Sequence, residues 1–223
     1  MPMRDKAELL IKQSADKSVI NIVAGGDSEL ERCSWPGDHA LNIDYHDHEW
    51  GVPQHDEQRL FEMLTLEGAQ AGLSWLTILN KREGYRRLFA GFDIQQVAGY
   101  DNRKVDELMA DAGIVRHRGK IESTINNARC IVALWDEGKS FEQLIWETVD
   151  GTPTQNHWTQ LQDLPSSTVE SVELSKRLKK SGFRFVGATT CYALMQAAGL
   201  VNDHTINCFR HRQCTQQAEA VKK

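Results

Sequence analysis

Lys180-Ser181-Gly182-Phe183-Arg184-Phe185-Val186-Gly187 is the stretch on which the reading of the chain turns. A helical pattern ends in Lys179-Lys180, a turn bounded by two glycines follows, and a new helix opens at Gly187. Two helices joined in this way form a hairpin. Its glycines let a phosphate approach the backbone, and the second helix presents free N–H groups and the positive end of its dipole. Many helix pairs turn on glycine for packing alone, so the hairpin speaks more firmly about fold than about partner.

Helical spacing extends outward on both sides. Val172, Leu174 and Leu178 fit a helix behind a capping box at Ser167 and Glu170, and Phe141, Leu144 and Ile145 fit one behind Ser140 and Gln143. Upstream, Ile121, Ile125, Ala128, Ile131 and Leu134 mark a long helix, and Val105, Leu108 and Met109 a shorter one after Asp101. Leu76, Leu79, Tyr85, Leu88 and Phe89 follow a start at Ser74, and Leu60, Phe61, Leu64 and Leu66 follow a cap at Asp56. The last strong helix runs from about Ala188 to Ala198. No convincing strand or repeat interrupts this pattern, so the fold class is all-α with short connections. Residues 1–30 read as a polar extension with a short helix around Ala7–Gln13, residues 31–210 as the functional domain, and residues 211–223 as a tail.

Hydrophobic residues make up 40% and charged residues 26% of the 223, the balance of an ordinary globular chain that can bury a core. Neither a membrane span nor a signal peptide is expected, which points to the cytoplasm. The net charge of −5 argues weakly against a nucleic-acid partner. Its distribution argues otherwise: Lys176, Arg177, Lys179, Lys180 and Arg184 cluster around the hairpin, and Arg116, His117, Arg118 and Lys120 form a second basic group. Taken alone, either cluster is more simply explained as a solvated helix face.

Five cysteines, an odd number, speak against a disulfide framework. Cys33 and His46 lie near the start of the helical core, and His204 and Cys208 lie four apart near its end, a spacing that places them on one face of a helical turn. Two thiolates and two imidazoles suit a tetrahedral zinc ion. Closing so long a loop costs about 4–5 kcal/mol, against about 10–16 kcal/mol available from structural zinc. By spacing alone, buried cysteines and surface histidines remain the simpler account. Asp44-Tyr45-His46-Asp47-His48-Glu49-Trp50-Gly51-Val52-Pro53 mixes titratable groups with aromatics. Leu66-Glu67-Gly68-Ala69-Gln70-Ala71-Gly72-Leu73-Ser74-Trp75 sets an acid beside a glycine-rich bend. Taken singly, each of these residues could belong to the core or a helix end.

Taken together, these blocks resemble the 3-methyladenine DNA glycosylase I family, a divergent branch of the helix–hairpin–helix glycosylases. The resemblance spans residues 32–208. It rests on Arg32-Cys33-Ser34-Trp35, on the blocks 44–53 and 66–75, on residues 111–121, on Phe185-Val186-Gly187 and on Gly199-Leu200-Val201-Asn202-Asp203-His204. It implies a helical-hairpin DNA anchor at Lys180, Arg184 and Gly187, and a structural zinc ion on Cys33, His46, His204 and Cys208 that ties the chain ends. It implies a base pocket at Tyr45, Glu67 and Trp75, with Glu67 serving recognition more than acid–base chemistry, and a wedge at Gln70, Gly72 and Leu73. The implied activity is removal of 3-methyladenine from alkylated double-stranded DNA by base flipping, in a monomer without an obligate protein partner, located with the nucleoid. Two departures stand out. Many relatives carry an aromatic where this chain has Asn42. The acid that helix–hairpin–helix glycosylases place after the hairpin is generally lacking in this family, and Asp203, beside an implied zinc ligand, more readily supports that ligand than catalyses. The rival readings are a zinc hydrolase or deaminase, which needs an open coordination position, a non-catalytic reader of damaged DNA, and a purely structural helical protein. Identifying free base released from methylated DNA separates them.

Overall fold

The computed structural model describes residues 30–221. The short helix expected around Ala7–Gln13 lies outside the described residues. The chain divides into two units, Met1–Leu30 and Glu31–Lys223. In chain order the second carries α1 (Ala40–His48), α2 (Glu57–Gln70), α3 (Trp75–Leu88), α4 (Ile94–Ala98), α5 (Asn102–Ala110), α6 (Arg118–Asp136), α7 (Phe141–Trp146), β1 (Thr154–Gln155), α8 (Val169–Lys180), α9 (Ala188–Ala197), β2 (Val201–Asn202) and α10 (Phe209–Val221). The fold is therefore almost wholly helical. The sequence shows no strand, yet β1 and β2 pair in parallel, Thr154 with Val201 and Gln155 with Asn202. Two residues a side is too short for any alternation to be legible. Among the described residues, no helix is long and apolar enough to cross a membrane.

Helix starts follow local chemistry. Asp56, Ser74, Asp101 and Ser140 each accept a hydrogen bond from the N–H three residues on, at 2.8, 3.2, 2.9 and 3.1 Å. The box expected at Ser167 and Glu170 sits one residue later. Thr168 caps Ser171 N–H at 3.2 Å, and the Ser171 hydroxyl accepts from Thr168 N–H at 2.8 Å. Burial of Ser171, Leu174, Ser175 and Leu178 fixes the helix phase and turns Glu170 to solvent. At α7 there is a cap but no box, because Gln143 donates its amide to Glu147 at 2.8 Å.

The core is organised around α2, buried continuously from Leu60 to Ala69. Its acid Glu62 accepts from Arg59, Arg82 and Arg86 at 2.7, 2.8 and 2.9 Å, and Arg82 also forks onto Glu49 at 2.6 Å. Buried Glu62 is thus fully compensated, and the exit of α1 is locked against α2 and α3. Lys120, at the start of α6, donates to the carbonyls of Ala69 and Ala71 at 2.8 and 2.7 Å. These are groups the end of α2 leaves unpaired.

The α8–α9 pair is the expected helical hairpin, and α6 holds its turn. Asn127 accepts from Arg184 N–H at 2.8 Å and donates to Arg184 O at 3.0 Å, while Asn126 donates to Gly182 O at 2.9 Å. Ser175 donates to Val186 O at 2.6 Å.

Three helices were not foreseen. The α1 helix buries only Tyr45 and His46, which leaves no apolar stripe to read, and α4 has five residues. The tail expected from residue 211 onward instead belongs, through Val221, to α10 (Phe209–Val221), with Cys214 and Ala218 buried. His204 and Cys208 do not lie on a helical turn. They flank an irregular turn closed by Cys208 N–H on Thr205 O at 2.8 Å, just before α10.

Candidate functional site

Cys33, His46, His204 and Cys208 meet in the interior, all four buried, with ligand atoms within 4.8 Å of one another. The α1 helix supplies His46, the segment ahead of it Cys33, and the turn before α10 the other two. Cys33 Sγ to His204 Nδ1 is 3.6 Å, Cys208 Sγ to His204 Nδ1 3.6 Å, and Cys208 Sγ to His46 Nε2 3.5 Å. In a tetrahedral zinc site, ordinary zinc–sulfur and zinc–nitrogen bond lengths put sulfur and nitrogen ligands about 3.5 Å apart, so these edges fit one ion. The outward nitrogens are engaged: His46 Nδ1 lies 2.7 Å from Asp47 Oδ1, and His204 Nε2 lies 3.0 Å from Trp50 O. Those bonds take the ring protons and turn a bare nitrogen of each imidazole inward. Asp47 is itself gripped by Arg32 at 2.7–3.0 Å, and Arg32 and His46 hold its carboxyl below the usual range against the cost of burial. Sharing of the site by the two thiols lowers Cys208, aided by both imidazoles, and raises Cys33. The donor set is closed, with no place kept open for a reacting water.

Against this cluster stands a pocket of about 230 Å³ lined by Trp35, Tyr45, Trp50, Glu67, Gln70, Trp75, Leu161, Leu164, Ala193 and Gln196. The wall is shared. Trp50 packs edge-on to His204 with ring centroids 4.6 Å apart, and Trp35 to His46 at 5.6 Å. Tyr45 and His46, adjacent on α1, face the pocket and the cluster respectively. Tyr45 and Trp75 lie 5.0 Å apart at 51°, and Trp35 and Trp50 5.3 Å apart at 67°. A larger cleft of about 560 Å³, lined by Cys130, Lys139, Arg177 and Lys180 among others, carries no aromatic ring and suits a flat ligand less well.

Glu67 is 7% exposed, and among the described residues no hydrogen bond or charge offsets its burial. Burial lifts its carboxyl to about 8. The Tyr45 phenol is pushed up by burial and then by the Glu67 and Glu49 charges. The indole N–H groups of Trp35 and Trp75 are buried and unpartnered as well. A cleft that holds an unpaired acid, a phenol and idle donors between aromatic faces is built for a flat, polar-edged, electron-poor ligand.

Beyond the pocket, Gln70 leads into the bend, where Gly72 takes φ +80° with open space around it and Leu73 is 41% exposed. The hairpin is close by, since a Cβ on Gly68 would meet Phe185 Cβ at 3.5 Å. Lys180, Arg184 and Gly187 are exposed. The second basic group joins this face only in part. His117 rests on Phe185, with centroids 6.3 Å apart, and Arg116 is exposed, but Arg118 pairs with Asp106 and Lys120 is turned onto α2.

Asp203 faces neither pocket nor ligating atoms. It is 1% exposed and accepts from Asn156, Trp158, Tyr192 and Gln196 at 2.5–2.8 Å, so it is a structural hub. Asn42 donates to Pro36 O at 3.2 Å and is not among the residues that line the pocket. Trp35, Trp50, Leu161, Leu164 and Gln196 were missed as site residues. The two tryptophans lie inside the sequence blocks that carry the resemblance, but nothing in the sequence says which way they face.

The family model described as methyladenine glycosylase matches residues 35–211. The chain is 51% identical over 179 residues to DNA-3-methyladenine glycosylase 1 of Escherichia coli (strain K12), covering 80% of this chain and 96% of that protein. It is similar to a crystal structure of 3-methyladenine DNA glycosylase I, with TM-score 0.79, 50% identity, and coverage of 80% of this chain and 98% of that one. It also matches the Staphylococcus aureus enzyme, from a study of 3-methyladenine recognition, with TM-score 0.78, 36% identity, and 81% and 96% coverage.

The Glu67 carboxyl makes a prediction that needs no substrate. Its value rises from 4.5 to about 8 on folding, so between those pH values the folded state holds a proton that the unfolded state has lost. Its contribution to stability is present below about pH 4.5 and disappears as pH rises through 8. Glu67→Gln removes that slope. The stability of the variant relative to wild type is expected to grow by on the order of 4 kcal/mol between about pH 4 and pH 9, read from urea denaturation. A difference that does not change with pH would show that the carboxyl is hydrated or paired.

Proposed function

The chain belongs to the methyladenine glycosylase family, and from that premise we propose that it hydrolyses the N-glycosidic bond of 3-methyladenine in alkylated DNA. The observation that carries the reading is Glu67, a buried carboxyl without a protein partner at the edge of an aromatic pocket. N3-methylation leaves the base cationic in the duplex. That weakens the bond to C1′ and makes the base a good leaving group, so recognition does most of the work. Aromatic faces favour the cation over neutral adenine by about 0.5–2 kcal/mol, and the Glu67 carboxylate accepts hydrogen bonds from the base edge while opposing its charge. The base departs with the bonding electrons, and water adds to C1′ and releases a proton. Tyr45, Trp75 and Trp35 flank the flipped ring. The Gln70–Leu73 bend fills the gap in the stack. The hairpin grips backbone phosphate through main-chain N–H groups near Gly187, with Lys180 and Arg184 beside them, as a helix–hairpin–helix anchor. We place the working domain from residue 31 through α10, acting as a monomer in the cytoplasm. Cys33, His46, His204 and Cys208 would hold one structural zinc ion, which supplies no reaction chemistry.

Three outcomes test this reading. Purified protein should contain about one zinc per chain. Cys208→Ser should lose the metal and lower the denaturation midpoint, while Cys214→Ser should keep the metal. Metal-free protein of unchanged stability would refute the zinc assignment.

Lys180→Glu with Arg184→Glu should weaken binding to every duplex alike and flatten the salt dependence, by about 0.9 in the log–log slope for each phosphate no longer neutralised. If only alkylated duplex suffers, these residues serve the pocket instead.

The decisive experiment measures release of free 3-methyladenine from methylated DNA. Wild-type kcat/KM should rise with pH, pass its midpoint near 8, where the carboxyl of the free enzyme ionises, and level off above it. In Glu67→Gln the rise should vanish and kcat/KM at the plateau should fall about 10- to 150-fold, the range for one charge-assisted hydrogen bond. If activity is lost while affinity for free base survives, Glu67 acts on water or on the sugar. If wild type binds alkylated duplex and releases no base, the protein is a reader and not an enzyme.

A further inference from the structure

The connection from β1 to α8 reaches the pocket through a single 3-10 turn, Leu161–Asp163. Leu164 N–H donates to Leu161 O at 3.2 Å and Asp163 N–H to Gln160 O at 3.1 Å. Such a turn has three residues per revolution, which stacks Leu161 and Leu164 on one side, and both line the pocket. The turn is braced. Asp163 accepts from Thr159 and Gln160 at 3.0 and 3.1 Å. Behind it, Trp158 O accepts from Ile206 N–H at 2.9 Å, and the Trp158 indole donates to Asp203 at 2.7 Å. The segment is thereby fastened to the loop that carries His204. Yet Leu161 remains 37% exposed. A large aliphatic side chain on a braced turn, left open at the mouth of a pocket, is free to meet whatever enters.

The pocket divides its labour. Glu67 and Tyr45 offer the polar edge and the indoles the flat faces. The aliphatic turn is the part of the wall suited to a substituent that forms no hydrogen bond. We propose that Leu161 and Leu164 form a rim that closes on the N3-alkyl group of the flipped purine and sets the largest alkyl group accepted. This rests on the base-excision reading above. The rim acts by contact and exclusion: a methyl fills the space beneath it, and a longer chain meets Leu161.

The test compares methyl with ethyl. Binding of free 3-methyladenine and 3-ethyladenine is followed by quenching of the pocket tryptophans, and excision by release of the two bases from DNA that carries each lesion. Wild type should prefer methyl in both measurements. Leu161→Ala and Leu164→Ala should each shrink that preference about ten-fold or more, the scale of a one-methylene discrimination in an apolar pocket, and affinity for undamaged duplex should stay unchanged. Leu161 is exposed enough that its truncation leaves the fold intact. An unchanged methyl-to-ethyl ratio in both variants would overturn the rim. So would an equal loss on both lesions in DNA with no change for free bases, which would place the leucines on the sugar. Wild-type protein that binds the free bases but excises neither would instead overturn the excision reading, with the rim still judged from the binding ratios.

Discussion

His204 Nε2 lies 3.0 Å from Trp50 O and His46 Nδ1 2.7 Å from Asp47, and these two bonds orient both imidazoles toward the thiols of Cys33 and Cys208. The consequence reaches beyond the cluster, because its walls are also the walls of the aromatic pocket. Trp50 and Trp35 pack on the imidazoles from one side and line the pocket from the other. Gly51 is part of the same constraint. It takes φ +81°, and a Cβ there would stand 2.9 Å from His204 Nε2, so the chain can leave α1 beside the histidine only at a glycine. A change that loosens the four-residue cluster would move two of the three indoles against which a base would stack. Stability at the chain ends and shape at the pocket are one property.

Glu67 stands in the opposite situation. Buried Glu62, five residues earlier on α2, is surrounded by three arginines, whereas Glu67 has none. One helix therefore carries a compensated acid within the packing and an uncompensated one at the pocket wall. An unpaired buried carboxyl destabilises the empty protein as pH rises, and in the proposed function the same desolvation would let it distinguish a cationic ring from a neutral one. The arginine set is taken up by Glu62 and Glu49, where it fixes α1, α2 and α3, and none of its members pairs with Glu67.

Those elements whose causes are local were legible in the sequence. Asp56, Ser74 and Asp101 cap the helices that their spacing announces, and the hairpin stands between Lys180 and Gly187. Elements without an apolar stripe were not legible. The α1 helix hides two side chains and α10 chiefly small ones, so neither shows a helical period. Spacing offered the ligand quartet as a candidate set but favoured ordinary burial, since its members come from opposite ends of the domain, and the helical turn expected to join His204 and Cys208 is an irregular one. Family resemblance tipped the balance toward the four, and the geometry brings them within reach of one another. Tyr45, Glu67 and Trp75 were likewise named by resemblance and do converge. Leu161 and Leu164 lie in a stretch with neither period nor motif, and only the three-residue pitch of the turn aligns them.

The net charge of −5 is compatible with the proposed DNA-facing surface because of where the acids are paired. Glu49 and Glu62 are taken up by Arg59, Arg82 and Arg86, Asp47 by Arg32, and Asp106 and Glu122 by Arg118. On the face made by the bend and the hairpin, Arg116, Lys179, Lys180 and Arg184 remain exposed, and Asn126 and Asn127 turn the hairpin carbonyls inward. Inward carbonyls leave the N–H groups at the start of α9 as the polar atoms the turn presents. A phosphate would meet cationic side chains and donors there, although the molecule as a whole is acidic. Over distances beyond about 10 Å salt screens the global charge, so the local arrangement decides the contact.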